Sequence, residues 1–234
     1  GDGWPESTET RIVNATGVAA VTVAPVTAGD EVLACLVASR DLSGRDADLR
    51  LLERAALVTA LVLVRDRSLV EAERRARREL VDALINGTGG PDVVRRRALA
   101  AGLDPAAAHV VAVLQTRTDT DKAAADLAEE AVTRFGGVVA ERDGQVVAVL
   151  AAAGPGPVVE WAQRALADAR ATVGVAISEP GVEHLAAAHA EARRCLATLL
   201  ALDREGTVAS PEELGIYRFL LAPGGRAEAA AFVE

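Results

Sequence analysis

The sequence has no methionine, one lysine (Lys122) among its 25 basic residues, and two cysteines, Cys35 and Cys195. Aromatic residues make up only 3% of it, so a core must be assembled from alanine, valine and leucine, and the arginine bias reads as a GC-rich coding preference rather than as chemistry. Long apolar runs are also lacking. The longest strongly apolar one, Ala55 to Val64, falls well short of the ~20 residues that cross a bilayer, so no membrane span is expected. A basic excess is missing too: the net charge of -9 excludes a chain that coats nucleic acid or an anionic membrane with its whole surface. Two thiols cannot make a disulfide framework. Cys35 lies in an alternating apolar run and Cys195 in a helical one, so both are expected to be reduced and buried in a cytoplasmic protein. The chain starts at Gly1 without a basic stretch leading into an apolar run, so no secretory signal is visible. With no methionine at all, the expectation is a segment of a longer protein, cut at both ends.

What remains is the ordinary globular mixture, 50% apolar and 25% charged over 234 residues, enough for one large domain or two small ones. Val18 to Val26 and Glu31 to Ser39 read as a hairpin joined by Thr27-Ala28-Gly29-Asp30. Ser43, with Asp46 three residues on, resembles a capping box, and after Gly44 neither glycine nor proline interrupts the chain until about Ile85. A helix of that length needs a partner along it. Ala55, Val62, Leu69, Ala76 and Ala83 recur every seven residues, as in one row of a coiled coil, and are the candidate dimer-helix residues. The companion row Val58, Arg65, Ala72, Glu79 is interrupted twice, so a helix packed partly on its own domain and partly on a second subunit is expected.

Asn86-Gly87-Thr88-Gly89-Gly90-Pro91 ends that helix and is the clearest linker. Beyond it the expected order is helix Asp92 to Ala101, strand His109 to Gln115, helix Asp121 to Phe135, strands Val138 to Glu141 and Val146 to Ala151, helix Pro157 to Ala169, strand Thr172 to Ile177, helix Val182 to Leu202 and a short strand at Thr207-Val208. Asp143-Gly144 between the middle strands is the strongest short-range hairpin signal in the sequence. This is an α+β domain with a mainly antiparallel sheet. From Pro211 the pattern turns helical again.

Chemistry is sparse. Gly154-Pro155-Gly156-Pro157 and Gly87 to Gly90 carry neither the Lys-Ser/Thr of a phosphate loop nor dinucleotide-site spacing and read as loops. His184 and His189 sit five apart on one helix, about 140° around its axis, so they cannot grip one metal; His109 opens an apolar strand. No zinc site and no Gly-x-Ser-x-Gly nucleophile elbow is visible. Asn14-Ala15-Thr16 and Asn86-Gly87-Thr88 match the glycosylation pattern, which arises often by chance. In Glu71 to Glu79 the acids lie within helical reach of the arginines, so a solvated, self-paired face is expected rather than a nucleic-acid contact, and Arg95-Arg96-Arg97 reads as surface.

Several segments together resemble the PucR/CdaR type of bacterial transcriptional regulator. Arg78-Glu79-Leu80-Val81-Asp82-Ala83-Leu84-Ile85-Asn86-Gly87, followed by Arg97 to Asp104, resembles the run into the central GGDEF-like domain of that family. Glu213 to Leu221, with Ala231-Phe232-Val233-Glu234, is similar to the entry to its helix-turn-helix domain, and the upstream hairpin, Asp41-Leu42-Ser43 and the long helix resemble the end of a GAF sensory domain. The resemblance implies four parts: residues 1–44 as the C-terminal part of a GAF-like domain, 45–86 as a dimerising helix, 87–210 as a GGDEF-like domain of palm or ferredoxin-like fold, and 211–234 as the start of an incomplete helix-turn-helix region. It implies a homodimer, a small-molecule effector, no cofactor, no membrane, and DNA contact only through a domain beyond Glu234.

The GGDEF-like resemblance also raises cyclase chemistry, which needs carboxylates to hold magnesium against a triphosphate, one near the end of the first strand and others in a Gly-Gly-Asp/Glu-Glu-Phe hairpin. Here the first strand, Val110 to Gln115, has no acid and the hairpin reads Glu141-Arg142-Asp143-Gly144-Gln145, so no enzyme activity, no catalytic residue and no metal site is expected. Asp119 and Asp121 read as loop residues capping the next helix. A divergent nucleotide-binding or cyclase-like palm enzyme is the rival reading.

Overall fold

The computed structural model describes residues 11–13, 21–39, 42, 45–116, 121–166, 171–215 and 217. The chain divides into two compact units, residues 1–73 and 74–234, and the boundary falls inside one continuous 41-residue helix, α1 (Asp46–Asn86).

In the first unit, strands β1 (Arg11–Val13), β2 (Val21–Ala28) and β3 (Glu31–Ala38) form an antiparallel sheet in that order. The expected hairpin is β2–β3, turned at Gly29 with φ 60°; residues 18–20 of its first strand lie outside the described residues. Alternate residues of β2, Ala24 and Val26, point inward against Ala56 and Ala60 of α1, with Ala34, Leu36 and Leu52 at the margin. Buried Thr22 accepts a hydrogen bond at its Oγ1 from the Leu42 N–H at 3.0 Å, which anchors the chain ahead of the helix. Cys35 is only half-buried, in contrast to the expected enclosure, because β3 is the edge strand among those described; Cys195 is buried as expected, and neither cysteine is in a disulfide.

The second unit is built on a five-stranded sheet, β4 (Val110–Thr116), β5 (Gly137–Arg142), β6 (Gln145–Leu150), β7 (Ala171–Ile177) and β8 (Val208–Ala209), in the order β5-β6-β4-β7-β8. All pairs are antiparallel except β7–β8. One face is covered by α3 (Asp121–Phe135) and α4 (Pro155–Ala165), through Leu127, Ala128, Val158 and Trp161 against Val110, Ala112 and Leu114. The other face takes the end of α1, α2 (Pro91–Ala100) and α5 (Leu185–Ala201), through Val81, Leu84, Ala98, Leu185 and Leu196 against Val111 and Val113. Helix α5 begins with a 3-10 turn at Val182–His184 rather than as regular α-helix, and β8 sits one residue later than the expected strand. Pro211–Leu214 forms a single short turn, α6, closed by a capping box between Ser210 and Glu213. Most of the expected helix-turn-helix entry, Ile216 and residues 218–234, lies outside the described residues.

Gly174 sets the spacing of the second face. A Cβ there would run into the Ala192 carbonyl and the Leu196 amide of α5, so only glycine lets the helix lie this close to β7.

Candidate functional site

The end of α1 and the β5–β6 hairpin line a polar cleft in the second unit. Asp143 and Gly144 at the turn have φ values of 50° and 75°, the two left-handed positions of a type I′ hairpin, which explains the Asp-Gly pair. The turn carries Arg142 to Asp82, one turn before the end of α1, with Nε 3.3 Å from the Asp82 Oδ1 and 3.3 Å from the Asp143 Oδ2. The Asp82 oxygen is enclosed and makes no well-directed hydrogen bond, so charge rather than a shared proton links it to Arg142. Arg78 Nε donates to the Glu141 carbonyl at 3.2 Å, and Gln145 Nε2 donates to the Gln115 Oε1 at 3.1 Å. Arg78, Asp82 and residues 141–146 line a cleft of about 570 Å³, and a neighbouring one of about 250 Å³ lies between Arg74, Arg77 and Arg78 of α1 and Asp126, Glu129 and Glu141.

The Arg-rich stretch is thus not simply self-paired. Arg77 Nη1 meets the Glu129 Oε1 of α3 at 2.5 Å and Arg78 reaches the edge strand β5, while most of the stretch stays exposed to solvent, as expected. Arg95, Arg96 and Arg97 are exposed, in line with the surface expectation.

The histidines hold no common site. Burial pushes His189 down to about 4, helped by Arg142 and Arg193 and opposed by Asp82, so the ring is neutral at pH 7. His109, just before β4, is 1% exposed; its N–H donates to the Ser178 Oγ at 3.0 Å and its Nδ1 faces the Ala108 carbonyl at 2.8 Å, while Nε2 has no partner among the described residues. Burial lowers its pKa as well. His184 is a surface residue near Glu179 and Glu183. Among the described residues there is no group of three or more histidine, cysteine or acidic side chains placed to hold a metal ion. Asp119 lies outside the described residues, and Asp121 opens α3.

The five dimer-helix candidates separate into two environments. Ala55, Val62, Leu69 and Ala76 are exposed, whereas Ala83 is 1% exposed inside the second unit and is not available to another chain. The heptad spacing could not see this, because the alanine serves equally well in a helix seam and in a core. Leu51, one heptad before Val58, was missed; it is exposed and extends the companion row. The Arg78–Asp82–Arg142 cleft was also missed, since nothing local in the sequence joins residues so far apart.

What this cleft offers chemically is a set of two guanidinium groups and three carboxylates that holds the hairpin to α1, with no nucleophile and base in contact. No helix of the described residues is long and apolar enough to cross a membrane. No curated protein matches the sequence. Residues 86–198 match the family model for the GGDEF-like domain, the segment that begins at the last residue of α1 and runs through most of α5, and the chain therefore contains a GGDEF-like domain.

Proposed function

We propose that the chain is the regulatory and dimerising portion of a cytoplasmic one-component transcriptional regulator of the PucR/CdaR type. A small-molecule signal taken up by the GAF-like N-terminal region alters how two α1 helices pair. The GGDEF-like domain passes that change to a DNA-binding domain, which makes the contacts with the operator.

The observation that carries this reading is α1 itself. Its first half has an exposed apolar row, and its last turns, at Val81, Leu84 and Ile85, are built into the core of the GGDEF-like domain. Any rotation of those turns would have to move Arg78 and Asp82, and with them the hairpin held through Glu141 and Arg142. A relay rather than a catalyst is supported by β4, which has no acid, and by a hairpin of sequence Glu-Arg-Asp-Gly-Gln in place of the acidic signature.

The mass in solution tests the reading. A dimer at micromolar concentration that Leu69→Glu converts to monomer is expected; a strict monomer at high concentration, unchanged by Leu69→Glu, would sink it. The enzyme reading has its own support in the cleft at the hairpin tip, and product formed from GTP or ATP with magnesium, or tight nucleotide binding lost in Asp143→Ala, would replace the relay by a catalyst.

A further inference from the structure

Arg65 occupies an unusual place on α1. Leu51, Ala55, Val58, Val62, Arg65, Leu69 and Ala72 alternate steps of four and three residues and are all exposed, Leu51 at 67%, Val58 at 63%, Val62 at 49% and Leu69 at 57%. At ~100° per residue their seam lies about 170° around the helix from Ala56 and Ala60, which face the sheet of their own unit. Arg65 interrupts this seam between Val62 and Leu69.

A charge in such a position needs an acid nearby, because a cation enclosed between helices without one costs several kcal/mol. The residues three and four away on its own helix are Leu61, Val62, Ser68 and Leu69, none of them acidic. Arg65 and Asp66 have no hydrogen bond or ion pair among the described residues, whereas Arg67, on the face towards the sheet, pairs with Glu31 at 3.0 Å and Glu71 at 3.3 Å. Arg65 is exposed to solvent here, but once a second helix covers this seam the acid for it has to come from outside its own helix.

We propose that the seam takes the α1 of a second copy of this chain, parallel and in register, and that reciprocal ion pairs from Arg65 of each copy to Asp66 of the other fix that register. This rests on the dimer reading above and adds its geometry. With Ala55, Val62 and Leu69 as the first core position of the heptad, Leu51, Val58, Arg65 and Ala72 hold the second. In a parallel pair a residue at the second core position packs beside the partner residue that follows its counterpart. For Arg65 that residue is Asp66, and two-fold symmetry forms the contact twice. A slip of one heptad leaves one of the two arginines beside Thr59, without an acid. The apolar layers on either side, Val58 and Val62 before and Leu69 and Ala72 after, supply attraction, and the charged layer supplies selectivity.

Crosslinking separates the outcomes. In full chains with Cys35→Ala and Cys195→Ala, Ala55→Cys and Ala72→Cys are made singly and oxidised with copper phenanthroline. The two positions lie about 25 Å apart along the helix, so only a parallel, in-register pair crosslinks like to like at both. A dimer by sedimentation that crosslinks at one or neither position overturns the geometry and leaves the dimer reading intact; a monomer overturns both. Without any cysteine change, Asp66→Arg is expected to raise the dimer dissociation constant at least tenfold, and Arg65→Asp with Asp66→Arg to restore it to within about threefold. An Asp66→Arg protein that dimerises as well as the parent overturns the ion pair.

Discussion

At the scale of single residues, His189 makes stability depend on pH in a definable direction. Its folded pKa of about 4 lies below the ordinary histidine value of 6.5, chiefly through burial. Below about pH 6.5 the unfolded chain takes up a proton that the folded ring refuses, so the stabilisation is complete above that pH and is lost as the pH falls towards 4. The side chain is only half-buried, and after solvent screening the effect is on the order of 1–2 kcal/mol. His109, lowered for the same reason, adds in the same sense. Thermal melts at pH 7 and pH 5 should differ less for His189→Asn than for the parent; an equal difference in both would show that this ring does not titrate as its burial requires. Gly174→Ala forces α5 away from β7, an overpacking defect of about 1–3 kcal/mol, and should lower the melting temperature of the GGDEF-like domain by roughly 3–10 °C. Nothing in the local sequence marks Gly174 as special, since its neighbour is one turn of α5, Ala192 to Leu196, approaching from some twenty residues away.

At the scale of elements, the parts that could be read from the sequence are those whose signals are local. The Asp143-Gly144 turn identified its hairpin because few residues other than glycine, asparagine and aspartate adopt two consecutive left-handed conformations. Gly144→Ala should therefore cost about 1 kcal/mol, whereas Gly156→Ala, inside α4 with open space around it and no left-handed backbone, should be neutral or slightly stabilising. Chemical denaturation of the two variants checks this, and equal losses would contradict the turn assignment. The apolar run Val110 to Leu114 marked β4 as a strand, and all five of its residues are buried because the strand is central and covered by helices on both faces. β1 has three residues and no periodicity to read, so it went unseen. The 3-10 turn at Val182 was absorbed into the expected helix because Pro180-Gly181 signals a start without saying what kind. The charged cleft was illegible for a deeper reason: Asp82 and Arg142 meet only after the sheet has brought the hairpin beside α1, and a surface arginine looks the same in sequence whether it meets water or a carboxylate.

At the scale of the whole molecule, a chain in two units joined within one helix should unfold in a way that exposes which unit depends on a partner. If α1 pairs with a second copy through Leu51 to Ala72, the stability of the first unit is tied to protein concentration by mass action, while the GGDEF-like domain, with its own two-faced core, is not. Trp161 gives a clean reporter for the second unit: it is 7% exposed in that core and sits edge-on to Phe135, ring centres 6.0 Å apart. In a Trp4→Phe background, its fluorescence transition should keep the same midpoint over a hundredfold range of concentration. The helical circular dichroism signal, to which α1 contributes 41 residues, should gain an earlier phase that moves upward with concentration. Leu69→Glu should fix that phase at its dilute position and leave the Trp161 transition unchanged. A single transition that shifts as a whole would mean that the two units unfold as one body and that pairing is felt throughout. A helical signal insensitive to both concentration and Leu69→Glu would remove α1 as the dimer element and with it the relay.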